Sequence, residues 1–311
     1  MFRKAHRKWV LFSALFILCV PLLSGCWNGR LLIVMEQPYW YTKGGDAALR
    51  WPLVRVSLAH GYLPRFLIIN AQDDSAASLA RALRVRHYKA AVVGPLLSFD
   101  MAGLLSQPTH FLLVGGPNTE QGDNAIRLVF DRTNSFKTVG YAAGLSISAE
   151  AGGTATNALA SRIGVLVSAH PSGTSEELVA FSTGVAQALD GGQPSIRTLS
   201  EPADRNAVKA AIDQMRGDGV EIFLLFAGVP DSWALEDMKS SGGCAVVSNW
   251  ASSWAFPSQV FLSIETDLSG GVAVFLSGKE TAARTVSGPM RLLAGAARPI
   301  PAPVASQIVP Q

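Results

Sequence analysis

The chain has 311 residues, 49% of them hydrophobic and 16% charged, with a formal net charge of +3. So apolar a chain with so little net charge is not disordered, and its length suits one large domain or two ordinary ones. Arg3, Lys4, Arg7 and Lys8 stand in the first 25 residues without an acid, so the rest of the chain carries −1, which gives no nucleic-acid footprint. Beyond residue 25 no apolar run approaches the ~20 residues of a spanning helix, which excludes a polytopic membrane protein.

Residues 1–25 read as a signal peptide: a basic start, then an apolar run from Trp9 to Leu23. Leu23-Ser24-Gly25-Cys26 resembles the bacterial lipobox, in which the cysteine thiol takes a diacylglyceryl group before cleavage. Cys26 is therefore the candidate lipidation site. The expected location is the bacterial cell envelope, lipid-anchored and facing the periplasm or exterior. The alternatives are an ordinary signal peptide with a chance cysteine, or an uncleaved anchor. Cys19 leaves with the signal, so Cys244 has no internal disulfide partner and no cysteine metal site is expected. Within Cys244-Ala245-Val246-Val247 it reads as a buried strand residue.

Short apolar runs bounded by turn residues predict strands in two series. The first lies at 31–36, 66–70, 89–94, 110–114 and 126–130. The second lies at 162–168, 195–199, 220–226, 244–248 and 260–264. Helical patterns predict helices over 75–86, 135–151, 173–190, 204–217 and 267–277. Thr174 or Ser175 and Asp204 are candidate caps, and Asp73-Asp74 reads as the cap of the helix from Ser75. Alternating strands and helices imply an α/β chain with two Rossmann-like parallel-sheet lobes. The expected division is 26–130 for the first lobe and 131–264 for the second, with 265–295 a candidate for return to the first. Residues 152–160 read as a loop. The tail 298–311, with Pro299, Pro301, Pro303 and Pro310, reads as extended and outside the core.

Enzyme signatures are missing: the sequence has no GxxxxGK[ST], HExxH or GxSxG. We therefore expect no enzyme, no catalytic residues, no cofactor and no metal. Aromatic placement is more informative. Tyr39, Trp40 and Tyr41 follow the first strand, and Trp250, Trp254 and Phe256 follow the strand at 244–248. Open α/β sheets bind ligands beyond the carboxyl ends of their strands. The two clusters are thus candidates to close on one small solute from opposite sides, Trp40 against Trp250. The other reading packs each ring under its own loop. Glu36, Gln37, Ser168, His170 and Asn249 are placed by the same rule.

In this arrangement the chain resembles the type I periplasmic binding proteins. Within them it is most similar to the basic membrane protein family of nucleoside-binding lipoproteins. The segment from Phe136 to Gly144, Ile163-Gly164-Val165-Leu166, Phe181-Ser182-Thr183-Gly184-Val185, and Ile264-Glu265-Thr266-Asp267 with Leu268 to Leu276 carry the likeness. It implies strands crossing between two lobes, with 126–130 and 260–264 near a hinge. It also implies a small-molecule ligand and an ABC permease as partner. The resemblance puts Phe181 and Glu265 among the candidate ligand contacts. Three positions depart from the family: Glu36-Gln37-Pro38-Tyr39-Trp40-Tyr41 replaces an Asp/Asn- and Phe-bearing loop, Asn249 replaces an aspartate, and Glu265 replaces a lysine. A cleft holding Glu36 and Glu265 suits a cationic or hydroxyl-rich ligand. The alternative function is an envelope lipoprotein using this scaffold as a sensor or interaction module without transport.

Overall fold

The computed structural model describes residues 28–70, 74–95, 108–115, 124–168, 175–199, 204–226, 231–248, 250–278 and 285–310. The chain divides into two compact units: residues up to Trp40 with Asp46–Leu128 and Ser269–Val286, and Tyr41–Gly45 with Val129–Leu268 and Ser287–Gln311. It passes from one to the other after Leu128, Leu268 and Val286, with a short excursion at Tyr41–Gly45.

The first unit is built on a sheet of order β11-β5-β4-β3-β1-β2. Its strands are β1 (Gly29–Glu36), β2 (Tyr62–Ile69), β3 (Ala90–Val93), β4 (His110–Val114), β5 (Ala125–Phe130) and β11 (Thr285–Gly288). The pairs β1–β2, β1–β3, β3–β4 and β4–β5 are parallel. Leu31 to Met35 are fully buried, which is why this strand reads as an unbroken apolar run rather than an alternating one. Three helices follow: α1 (Gln37–Thr42), α2 (Trp51–Ala59) and α3 (Ser75–Val85). The Asp74 carboxylate accepts from the Ala77 amide at 3.0 Å and caps α3 as the sequence predicts.

The second unit holds a sheet of order β13-β12-β10-β9-β8-β6-β7. Its strands are β6 (Ile163–Ser168), β7 (Ser195–Leu199), β8 (Ile222–Leu225), β9 (Cys244–Val247), β10 (Val260–Thr266), β12 (Met290–Ala294) and β13 (Ile308–Pro310). From β7 to β10 every pair is parallel, and β12 then runs antiparallel to β10. The helices are α4 (Thr133–Glu150), α5 (Ser175–Ala188), α6 (Arg205–Gly217), α7 (Asp231–Ser241), α8 (Trp250–Ala255) and α9 (Leu268–Leu276), the last lying mainly in the first unit. Asp204 caps α6, accepting from the Ala207 amide at 2.7 Å. The proposed cap at Thr174 or Ser175 lies outside the described residues and side chains.

Helices α4 and α5 explain two of the sequence segments that carry the family likeness. A Cβ on Gly140 would strike the Phe181 carbonyl, and one on Gly184 would strike the Lys137 carbonyl. The two glycines let the helix backbones touch. Phe136, Val139, Phe181 and Val185 fill the core beneath that seam.

The tail corrects one expectation. Residues Ala302–Gln307 form a 3-10 turn, and β13 pairs with β12, so the segment after residue 298 is part of the second unit rather than loose chain. Val304 and Ile308 are buried in its core. Arg298 ties the start of the tail down through Glu150 (2.6 Å) and Glu221 (2.8 Å), and Arg162 joins the same two carboxylates. Burial alone would raise the Glu221 carboxyl, but Arg298 and Arg162 hold it below the usual carboxylate range. Cys244 is buried as the sequence implies, and burial pushes its thiol up to about 11. Among the described residues no helix is long and apolar enough to cross a membrane.

Candidate ligand site

In each unit the carboxyl ends of the parallel strands form one edge, and the loops that leave this edge carry most of the predicted site residues. In the first unit Glu36 ends β1 and is only 7% exposed. Its carboxylate occupies the place where a Cβ of Gly94 would otherwise stand, so a residue without a side chain at the end of β3 makes room for it. Gln37 and Tyr39 follow on α1, both half-buried. Trp40 is 3% exposed and packs against Phe66 at 5.7 Å between ring centroids. This corrects the expectation of an open stacking face: the ring belongs to the core of the first unit, because α1 turns it back onto β2. Tyr41 remains exposed.

The second unit gathers charge at the same edge. Glu265, next to last on β10, is 5% exposed. The Ser263 hydroxyl donates to its Oε1, and the Lys43 ammonium reaches its Oε2 at 3.4 Å. Lys43 arrives on the excursion Tyr41–Gly45, turned by Gly44 and Gly45 at φ 87° and 52°, a left-handed region that glycine enters without cost. Burial raises the Glu265 carboxyl, and Lys43, Ser263 and Arg132 oppose that rise. Asp231 begins α7, just beyond β8. Burial pushes its carboxyl up to about 7, against a hydrogen bond with Ser252, and the negative charge of Glu265 adds to the rise. Further along the edge Arg132 pairs with Glu177 at 3.4 Å and lies over the Phe136 ring at 5.1 Å. Burial raises Glu177, and Arg132 opposes it. Two cations thus face three carboxylates that are costly to charge.

Phe181, proposed as a ligand contact, is instead fully buried beneath the α4–α5 seam, a second correction with the same cause: its ring fills core volume. His170 and Asn249 lie outside the described residues. Trp250 opens α8, and its side chain is likewise outside them. Trp254 is 66% exposed, and Phe256 is half-buried under the Lys239 ammonium at 5.5 Å. Sequence reasoning missed Lys43, Asp231, Ser252 and Ser263. The strand-end rule that found Glu36 could have found Asp231, which stands just past the apolar run at 222–225. Among the described residues no cluster of His, Cys, Asp and Glu could hold a metal ion.

No protein-family model matches this sequence, and no curated protein matches it. Solved structures do. An ABC transporter solute-binding protein from Conexibacter woesei is 13% identical over 89% of this chain and 92% of its own, with a TM-score of 0.63. A transcriptional activator of the comK gene from Bacillus halodurans is 15% identical over 84% and 85%, with a TM-score of 0.59. An ABC solute-binding protein from Aeropyrum pernix is 16% identical over 85% and 76%, with a TM-score of 0.53. The chain has the fold of the type I periplasmic binding proteins.

Proposed function

We propose that this chain is a solute-binding protein of the bacterial envelope, anchored through a lipid on Cys26, that hands a small polar molecule to an ABC permease. The observation that carries the reading is the Asp231–Glu265 pair at the carboxyl edge of the second sheet. Two carboxylates are held there with burial opposing their ionisation, and the one lysine, 3.4 Å from Glu265, is an imperfect match for the pair. A scaffold that needs only stability has no use for such a pair, because a buried charge is expensive unless something compensates it. A ligand carrying hydroxyl or ammonium donors would compensate both. Within ring-bearing solutes this favours sugars and nucleosides, whose hydroxyls donate to carboxylates, as in the nucleoside-binding basic membrane protein family.

Thermal melting of the purified chain against a panel of hexoses, nucleosides and organic amines tests the reading. A cognate solute at 100 times its Kd adds about 2.7 kcal/mol. Asp231→Asn or Glu265→Gln should weaken that solute by roughly 1.5–3 kcal/mol, the range of a hydrogen bond to a charged group. The anchor is tested apart: Cys26→Ser should leave unprocessed precursor and abolish labelling by fatty-acid probes. A second reading, a sensor or interaction lipoprotein, draws on the likeness to a transcriptional activator rather than a transport component. It gains if no solute shifts the melt and deletion of the neighbouring permease leaves the phenotype unchanged.

A further inference from the structure

The amino-terminal edge of the first sheet, opposite the strand ends that carry Glu36, holds a cavity of about 500 Å³. Asn28, Tyr62, His87, Tyr88, Lys89 and His110 line it, and no carboxylate is among its lining residues. The polar wall residues sit just before or at the start of a strand: Asn28 before β1, Tyr62 on β2, Lys89 before β3 and His110 on β4. Parallel strands therefore bring these donors together from distant parts of the sequence.

The chemistry is one-sided. Lys89 supplies an ammonium, and the two histidines supply ring N–H donors in either protonation state. Among the described residues no acid pairs with Lys89, His87 or His110. The stem of Lys89 lies across Gly29, where a Cβ would come within 2.9 Å of the lysine Cγ and Cδ, so the glycine seats this side chain against the sheet. Tyr88, which also lines the cavity, is 4% exposed, and its hydroxyl is shielded from solvent without a hydrogen-bond partner. A buried hydroxyl left unmatched costs about 1–3 kcal/mol, so native proteins rarely keep one without a reason. The neighbouring polar groups are already matched: the Thr109 hydroxyl donates to the Tyr88 carbonyl at 2.9 Å, and the Asn28 amide donates to the His60 carbonyl at 2.8 Å.

We infer that this cavity is an anion site for a phosphate-bearing group, held by Lys89, His87 and His110 over the Tyr88 ring. A phosphoryl group offers several acceptor oxygens and a negative charge to a cavity that has donors and no counter-charge. Its place in the chain bears on the source. Asn28 is two residues after Cys26, so at 3.8 Å per step their Cα atoms are within about 8 Å. If Cys26 carries the lipid proposed above, the cavity stands at headgroup level and the phosphate is that of an anionic phospholipid. This choice of source rests on the anchor, whereas the anion site itself does not, and neither depends on the solute-binding edge of the second unit.

The test is the acylation rate of Lys89 by an amine-reactive reagent, read by peptide mass spectrometry on the full chain. Exposed Lys209, on the second unit, is the internal reference. Four arms are compared: detergent alone, detergent with inorganic phosphate, phosphatidylcholine vesicles and phosphatidylglycerol vesicles. Phosphatidylglycerol should slow Lys89 roughly tenfold against phosphatidylcholine, a difference of about 1.4 kcal/mol in occupancy, and leave Lys209 unchanged. High salt should erase the difference, because the site is open and its charges are screened. Equal slowing by inorganic phosphate in detergent supports the anion site and assigns it to a free phosphate compound. A His87→Gln/His110→Gln variant should keep its melting midpoint and any solute-induced shift but lose the protection. Slowing in no arm, slowing that Lys209 shares, or full protection in the double-histidine variant overturns the inference. The solute panel reports on the other site whatever the outcome here.

Discussion

Two regions of the second unit are built on opposite principles. The seam between α4 and α5 is made of small and apolar residues, with Gly140 and Gly184 allowing backbone contact and Phe136, Val139 and Phe181 buried below. The carboxyl edge of the sheet beside it holds Asp231, Glu265, Glu177, Arg132 and Lys43, charges that burial disfavours. The seam gains from tight packing and asks nothing of solvent or ligand. The edge holds charges that burial makes costly, the kind of cost that folded proteins offset with packing elsewhere. Damage to the seam should therefore unfold the unit, while neutralising the carboxylate of Asp231 should stabilise it.

The largest effect belongs to the seam. Gly184→Ala drives a methyl into the Lys137 carbonyl, an atom that cannot yield without separating the helices, and should cost about 3 kcal/mol in urea unfolding. Gly217→Ala, at the end of α6 with open space around it, should be neutral or gain up to about 1 kcal/mol. A similar cost at both sites would mean that intrinsic helix preference, not close approach, governs the seam.

The edge should behave in the reverse sense. Burial pushes the Asp231 carboxyl in the folded chain up to about 7, from the ordinary 3.8, so the folded chain holds its proton more tightly than the unfolded one. Its contribution is complete at pH below about 4 and is lost as pH rises to about 7. Asp231→Asn should flatten the pH dependence of stability across that window and make the variant more stable than the parent at pH 8, by about 2 kcal/mol. Melting curves from pH 4 to pH 8 check this, and a variant less stable than the parent at pH 8 would remove the premise of a strained edge.

A smaller effect is expected at Lys43. Lys43→Met leaves Glu265 buried without its ammonium and should cost about 1–2 kcal/mol at pH 8. The loss should shrink as pH falls, since Glu265 has a raised pKa and takes up a proton, leaving no charge to compensate. A cationic solute should bind this variant more tightly than the parent, because the competing internal cation is gone.

Much of this fold was readable in the chain. All ten predicted strands form, most with ends displaced by one or two residues, because runs such as Leu31 to Met35 are buried on both faces and admit no other use. Helices with a clear cap, α3 and α6, were equally plain. What escaped were elements with weak periodicity, among them α1, which contains Pro38, α2, which opens on Trp51-Pro52, helices α7 and α8, and the short strands β11, β12 and β13. The prolines of the tail suggested loose chain, yet Arg298, Val304 and Ile308 hold it by ion pairs and core contacts that no local pattern encodes. The site divides the same way. Glu36 could be placed from a strand end and Glu265 from the family resemblance, whereas the Lys43–Glu265 pair joins residues 222 positions apart and Asp231 acquires its character only from surrounding burial. Trp40 and Phe181 show the converse error, since a large ring at a promising position was claimed by the core.

The claim that a small polar solute is the partner of Asp231 and Glu265 is tested most directly by what the protein carries. The full chain, purified natively from its source cells, is denatured, and the released small molecules are identified by mass spectrometry. The account predicts one polar solute near stoichiometric amount that raises the melting point of the parent when added back, with a much smaller rise for Asp231→Asn. Release of no small molecule, or a solute whose effect on Asp231→Asn equals its effect on the parent, would contradict it.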